Sequence, residues 1–103
     1  MSASSTPKGY VIAMVSVTDM DAYTPYMAQT SALVKEYGGT YIIRGAEQDR
    51  KENTPPHDRF VVIEFSSHAQ ANAFYNDARY AEVRKIRQQN SEGFVFTIQG
   101  FEE

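Results

Sequence analysis

Three short stretches, GYVIAMVSV (Gly9 to Val17), RFVVIEF (Arg59 to Phe65) and GFVFTIQGF (Gly93 to Phe101), carry large apolar residues on both alternating faces. Nothing else in the chain constrains the fold as much. Successive side chains of a strand point to opposite sides, so a strand apolar at nearly every position needs cover above and below. In the first stretch Tyr10, Ile12 and Met14 share one face and Val11, Ala13 and Val15 the other. In the second, Val61, Ile63 and Phe65 oppose Phe60, Val62 and Glu64.

The segments between supply cover for one side only. Tyr23, Tyr26 or Met27, Thr30, Leu33 or Val34, and Tyr37 recur at spacings of three and four, which makes one buried helical stripe. Thr24-Pro25 predicts the N-cap and first position of that helix, with DMDAY as an irregular turn leading in. Gly38-Gly39 ends it, one glycine in the left-handed position after the C-cap. TYIIR is the second strand, and Gly45 predicts a bulge or a close backbone approach at its end. EQDRKENTPPHD reads as a strand end and surface loop. Ser67 and Gln70 have capping-box spacing for a second helix, which breaks at Asn76-Asp77 and resumes in ARYAEVRKIRQQN with Asp77 as cap. The order β-α-β-β-α-β is an α+β, ferredoxin-like arrangement: a four-stranded antiparallel sheet with its helices on one face. The open face then needs a partner, and a second copy of the same sheet is the simplest one, so the patterning predicts a homodimer.

Residues 1–8 read as a flexible polar tail and 9–103 as one domain. A formal net charge of -3 argues against nucleic acid as a partner. The chain has no cysteine and no apolar run approaching the roughly 20 residues that span a bilayer. These features set the expectation of a cytoplasmic protein without a membrane partner.

DAYTPYM, EYGGTYIIRGAE, DRFVVIEFSS, AFYNDARY and VRKIR, in this order and spacing, resemble the domain-of-unknown-function family 1330. The resemblance runs from about Gly9 to Gly100, and its most specific piece is Gly38, Gly39, Tyr41, Arg44 and Gly45, followed by Phe74, Tyr75 and Tyr80. It implies a dimeric α/β barrel built from ferredoxin-like subunits. Ala46 stands where the family often has a second glycine, Phe74 where it often has tryptophan, and Asp77-Ala78 where it often has Ser-Pro.

Arg44 is the first candidate for chemistry. Simple alternation puts it on the face of Ile42, opposite Tyr41 and Ile43. Arginine cannot discharge itself, so a covered Arg44 needs an anion. That anion is a ligand carboxylate held bidentately, or else an internal partner such as Glu64 or Glu47; a solvated strand end is the third reading. Tyr23, Tyr26, Tyr37, Tyr41, Tyr75 and Tyr80 are either a phenol-lined cleft, with Tyr26, Tyr41, Tyr75 or Tyr80 beside Arg44 and Gly45, or ordinary core with hydroxyls at the rim. Arg87, on the inward edge of a cationic run, is a second candidate anion contact. His57 and His68 read as solvent-facing, with no metal-ligand spacing, and no serine and histidine are recognisable as a nucleophilic pair. No cofactor is expected. Two functions follow. One is a small-molecule binder of an acidic or aromatic compound, or a cofactor-independent isomerase- or monooxygenase-like enzyme using Glu64 or a tyrosine as acid or base. The other is a non-catalytic structural or interaction dimer.

Overall fold

The computed structural model describes residues 6–102. Of the predicted tail, residues 1–5 lie outside the described residues, and Thr6, Pro7 and Lys8 have no regular secondary structure. The elements are β1 (Gly9–Val17), α1 (Met20–Glu36), β2 (Thr40–Arg44), β3 (Arg59–Phe65), α2 (His68–Tyr75), α3 (Ala78–Asn90) and β4 (Ser91–Gln99). The sheet order is β2-β3-β1-β4, every pair antiparallel. This is the predicted ferredoxin-like α+β arrangement.

α1 starts earlier than expected. Its N-cap is Asp19, whose carboxylate accepts from the Ala22 amide at 3.2 Å. DMDAY is therefore helix, and Pro25 lies in the second turn. Proline removes one internal bond there, the one to Asp21 O, and exposed Asp21 leaves that carbonyl within reach of water. The helix ends as predicted. Gly38 takes φ +75° and donates to Lys35 O at 3.0 Å, while Gly39 donates to Val34 O at 2.8 Å, the paired closure of a Schellman motif. Ser67 caps α2 by accepting from Gln70 N at 3.1 Å. The Gln70 side chain does not complete a capping box; it donates to Tyr37 O at 3.1 Å and ties α2 to the end of α1. Asp77 caps α3.

Val11, Val15, Ile63 and Phe65 face the helices. They meet Leu33, Val34, Ala71, Phe74 and Tyr80 in one core, with the Phe74 ring 5.4 Å from Phe65 and 4.7 Å from Tyr80. α2 seats directly on β1 and β4, whereas α1 packs chiefly against α3. The other face of the sheet is uncovered: Phe94, Phe96 and Ile98 are 43–48% exposed, in register with Met14, Ile12 and Tyr10 of β1.

The second strand departs from simple alternation. Tyr41 pairs with Ile63 and Ile43 with Val62, so Ile42 is an extra residue, a β-bulge. The bulge reverses parity. Arg44, opposite Val61, lands on the helix-covered face with Tyr41, and Ile43 turns to the open face. The predicted interruption thus lies three residues before Gly45.

Candidate functional site

Between α1, α3 and the covered face of the sheet lies a cavity of about 40 Å³. It has room for water, and is far smaller than the roughly 300–1,000 Å³ of a ligand site. Valines of β1, β3 and β4 with Ile63 and Phe74 form its apolar wall. Its polar groups are Tyr23, Tyr26, Thr30, Tyr41, Tyr80 and three arginines, Arg44, Arg59 and Arg87. No aspartate or glutamate lines it.

Each arginine reaches the cavity from a different element. Arg44, at the exposed end of β2, stands at the mouth, its guanidinium 4.2 Å from the centre of the Tyr41 ring and donating to the Ser31 hydroxyl at 3.1 Å. Arg59 opens β3 on the same face as Val61 and Ile63, and one of its terminal nitrogens lies 3.6 Å from the Met27 sulfur. Arg87 projects inward from α3 and is only 7% exposed. The Nε groups of Arg59 and Arg87 and the Thr30 hydroxyl are buried without a hydrogen-bond partner. Among the described residues, none of these arginines forms a salt bridge.

The phenols stay protonated. Burial pushes the Tyr26 hydroxyl well above its ordinary value, and the neighbouring Tyr80 adds to this against an opposing pull from Arg87. Burial likewise raises Tyr80, although its bond with Tyr26 and the Arg87 charge work the other way. Tyr23 is raised by burial and then by Tyr26, with Arg59 and Arg87 opposing. Tyr26 and Tyr80 share a 2.7 Å hydrogen bond. At neutral pH these groups therefore serve as hydrogen-bond donors and acceptors, and the cavity offers positive charge and hydroxyls with no base.

Of the residues singled out from sequence, Arg44, Tyr26, Tyr41, Tyr80 and Arg87 meet here. Arg44 does so with Tyr41, not with Ile42 as alternation indicated, because of the bulge. Glu64 does not. It lies on the open face, accepting from the Tyr10 hydroxyl at 3.3 Å, and can neither pair with Arg44 nor act as a base in the cavity. Tyr75 lies beside the cavity, its ring 5.4 Å from Tyr80 and under the Arg84 guanidinium at 4.6 Å. Gly45 serves Arg59: at φ +64° it leaves open a space where a Cβ would come within 2.7 Å of the Arg59 guanidinium. Tyr23, one of the tyrosines read as cleft or core, also lines the cavity, whereas Tyr37 does not; Arg59 and Thr30 were missed as site residues, although Arg59 could have been found by extending the period of Val61 and Ile63 back by one step.

The histidines are half-buried, each beside a hydroxyl, not simply solvent-facing. His57 Nδ1 lies 3.0 Å from the Ser16 hydroxyl, a serine-histidine pair that sequence separation hid, and His68 Nε2 lies 3.2 Å from the Thr97 hydroxyl. The rest of the cationic run behaves as a surface. Arg79 binds Asp77 at 2.9 Å and also Glu36, and Lys85 binds Glu82 at 3.1 Å. Among the described residues no helix is long and apolar enough to cross a membrane, and no three His, Cys, Asp or Glu side chains gather as a metal set.

The family Domain of unknown function (DUF1330) matches residues 8–101. No curated protein matches the sequence. Several solved structures share the fold. The RPA0582 protein of unknown function from Rhodopseudomonas palustris superposes with a TM-score of 0.70 at 15% identity, over 94% of this chain and 85% of that one. A dimeric ferredoxin-like protein of unknown function from Jannaschia sp. CCS1 gives 0.70 at 14% identity, over 92% and 99%. SnoaB, a cofactor-independent oxygenase from Streptomyces nogalater, gives 0.64 at 10% identity, over 95% and 97%. At such identities the likeness is one of fold.

Proposed function

The chain belongs to the DUF1330 family, and from that starting point we propose that it binds a small organic acid in the cavity beneath α1. One observation carries the reading: Arg87 is 7% exposed, its Nε has no partner, and no carboxylate lines the space it enters. A buried charge without a counter-charge destabilises a fold, so an unpaired one points to an anion supplied from outside. Arg44 at the mouth would capture the acid, and Tyr23, with whichever of Tyr26 and Tyr80 accepts the bond between them, would donate to its oxygens. The cavity must widen to admit it; unbranched Met27, in the wall, is the side chain best able to move.

The isomerase- or monooxygenase-like version of this reading draws on the fold shared with the S. nogalater oxygenase. Here it lacks a base, since the buried phenols are protonated and Glu64 is on the other face. Binding is therefore favoured over catalysis. The test is a thermal-shift screen of aliphatic and aromatic acids on wild type and Arg44→Ala. Stabilisation of the wild type that the folded variant lacks supports the reading. No shift with any acid, together with an early-melting variant, would make the arginines scaffold.

The open sheet face supports a homodimer as well, through the exposed Phe94, Phe96 and Ile98, and the fold is shared with a protein described as dimeric. Light scattering at micromolar concentration should give twice the chain mass, and Phe96→Asp should halve it. A monomeric wild type would overturn this and leave the ligand reading untouched.

A further inference from the structure

We propose that the ligand of this cavity is a compact dianion, one small molecule with two negative charges close together, held between Arg59 and Arg87. The inference rests on the anion-binding reading above and narrows it to charge and size.

The argument begins with a charge count. Arg44 is exposed at the mouth, where water and salt can answer its charge. Arg59 and Arg87 are different: each has a buried Nε with no partner, and the cavity holds no acidic side chain. Both also line the one cavity, on the side of Tyr23. A monocarboxylate would answer one of them and leave the other's Nε without a partner, buried Arg87 or half-buried Arg59. Two negative charges answer both.

The acceptor now facing Arg59 points the same way. Its guanidinium meets the Met27 thioether at 3.6 Å, a weak acceptor on a flexible side chain. A guanidinium fork suits two oxygens of one carboxylate or phosphoryl group. The thioether occupies the place where such a group would bind, and it can swing away.

Size limits the rest of the molecule. With about 40 Å³ of free space, displacement of Met27 makes room for a few heavy atoms beyond the charged groups. A fused polycyclic substrate would have to break the valine wall. A short dicarboxylate or a small phosphorylated compound would not.

Calorimetry and thermal shift at about pH 8, where these acids are ionised, would compare acetate with malonate, benzoate with phthalate, and inorganic phosphate. Malonate should bind at least about tenfold more tightly than acetate, the ratio expected of one additional charged hydrogen bond. Arg59→Met and Arg87→Met should each bring malonate down to the acetate level. Tight phosphate binding with weak malonate would assign the dianion to a phosphoryl group; the reverse would assign it to a dicarboxylate. If acetate and benzoate bind as well as their dianionic partners, this inference fails and the organic-acid reading stands. If none of the anions binds, both fail. A malonate preference that survives both substitutions would overturn the assignment to Arg59 and Arg87. Should Arg87→Met not fold, the wild-type ratio and Arg59→Met still decide.

Discussion

Arg79 and Arg87 lie two turns apart on the same helix and are treated in opposite ways. Arg79 has a side chain that is 56% exposed, yet it is met by two carboxylates, Asp77 and Glu36. Arg87 is 7% exposed and is met by none. Stability alone would favour the reverse, because water readily serves an exposed guanidinium and cannot serve a buried one. The contrast teaches that missing carboxylates are a property of this cavity, not of the chain. Asp77 also caps α3 and accepts the Tyr37 hydroxyl at 2.5 Å, so the Arg79 cluster joins the end of α1 to the start of α3. Around Arg87 the two helices meet through the Tyr26–Tyr80 hydrogen bond instead, and no carboxylate answers its charge.

The largest expected effect tests the unpaired side. Arg87→Met removes a buried charge and keeps the volume, so the ligand-free protein should be as stable as wild type or more so. It should also lose the stabilisation by a bound acid, about 2.7 kcal/mol at 100 times the dissociation constant. Melting curves with and without malonate check both. A variant that is simply less stable would make Arg87 structural and break the contrast. Next, Met27→Glu places a carboxylate where Arg59 now meets a thioether. Ligand-free stability should hold and the malonate response should vanish, because the anion's place is taken from within.

Gly45→Ala sharpens the role given to Arg59. Left-handed backbone costs a non-glycine residue about 1–2 kcal/mol, and the new methyl would press on the Arg59 guanidinium. A urea titration should show the first cost and calorimetry a several-fold weaker malonate affinity; unchanged affinity would separate Gly45 from the site. The smallest effect belongs to the paired side. Arg79, and after it the Tyr37 hydroxyl, hold Asp77 below its ordinary value of 3.8, and Arg79 also lowers Glu36. The unfolded chain therefore takes up these protons first as pH falls. The stability they contribute is complete above the ordinary carboxylate range and is lost below it. Asp77→Asn should flatten that acid limb in urea midpoints measured from about pH 6 to about pH 2.5, with malonate binding unchanged at neutral pH.

Much of the molecule was legible in the sequence because its signals are local. Double-faced apolar runs located three strands, Gly38 marked the end of α1 through a conformation other residues avoid, and Asp77 marked the restart of the second helical segment. Tyr26, Tyr41, Tyr80, Arg44 and Arg87, all picked as candidates, line one cavity. The misses have different causes, some local and some resting on a partner distant in the chain. Pro25 suggested a helix start, but Asp19 could cap a turn and a half earlier. Glu64 was one of the alternatives offered as a partner for Arg44, although its own alternation with Phe60 and Val62 already set it apart from Val61 and Ile63. The Ser16–His57 pair, 41 residues apart, leaves no trace in local spacing.

By itself, then, the sequence determined the class of fold, the order of its elements, and that one sheet face must look outward with phenylalanine and isoleucine upon it. Tertiary structure alone decided the bulge at Ile42, since a bulge exists only in the register between two strands. That register turned Arg44 inward beside Tyr41. The packing of α3 over the sheet carried Arg87 to the same space, and Gly45 left room for Arg59 to enter it. Each arginine is an ordinary polar residue in its own segment; their shared lack of a carboxylate arises only when three elements close around one cavity.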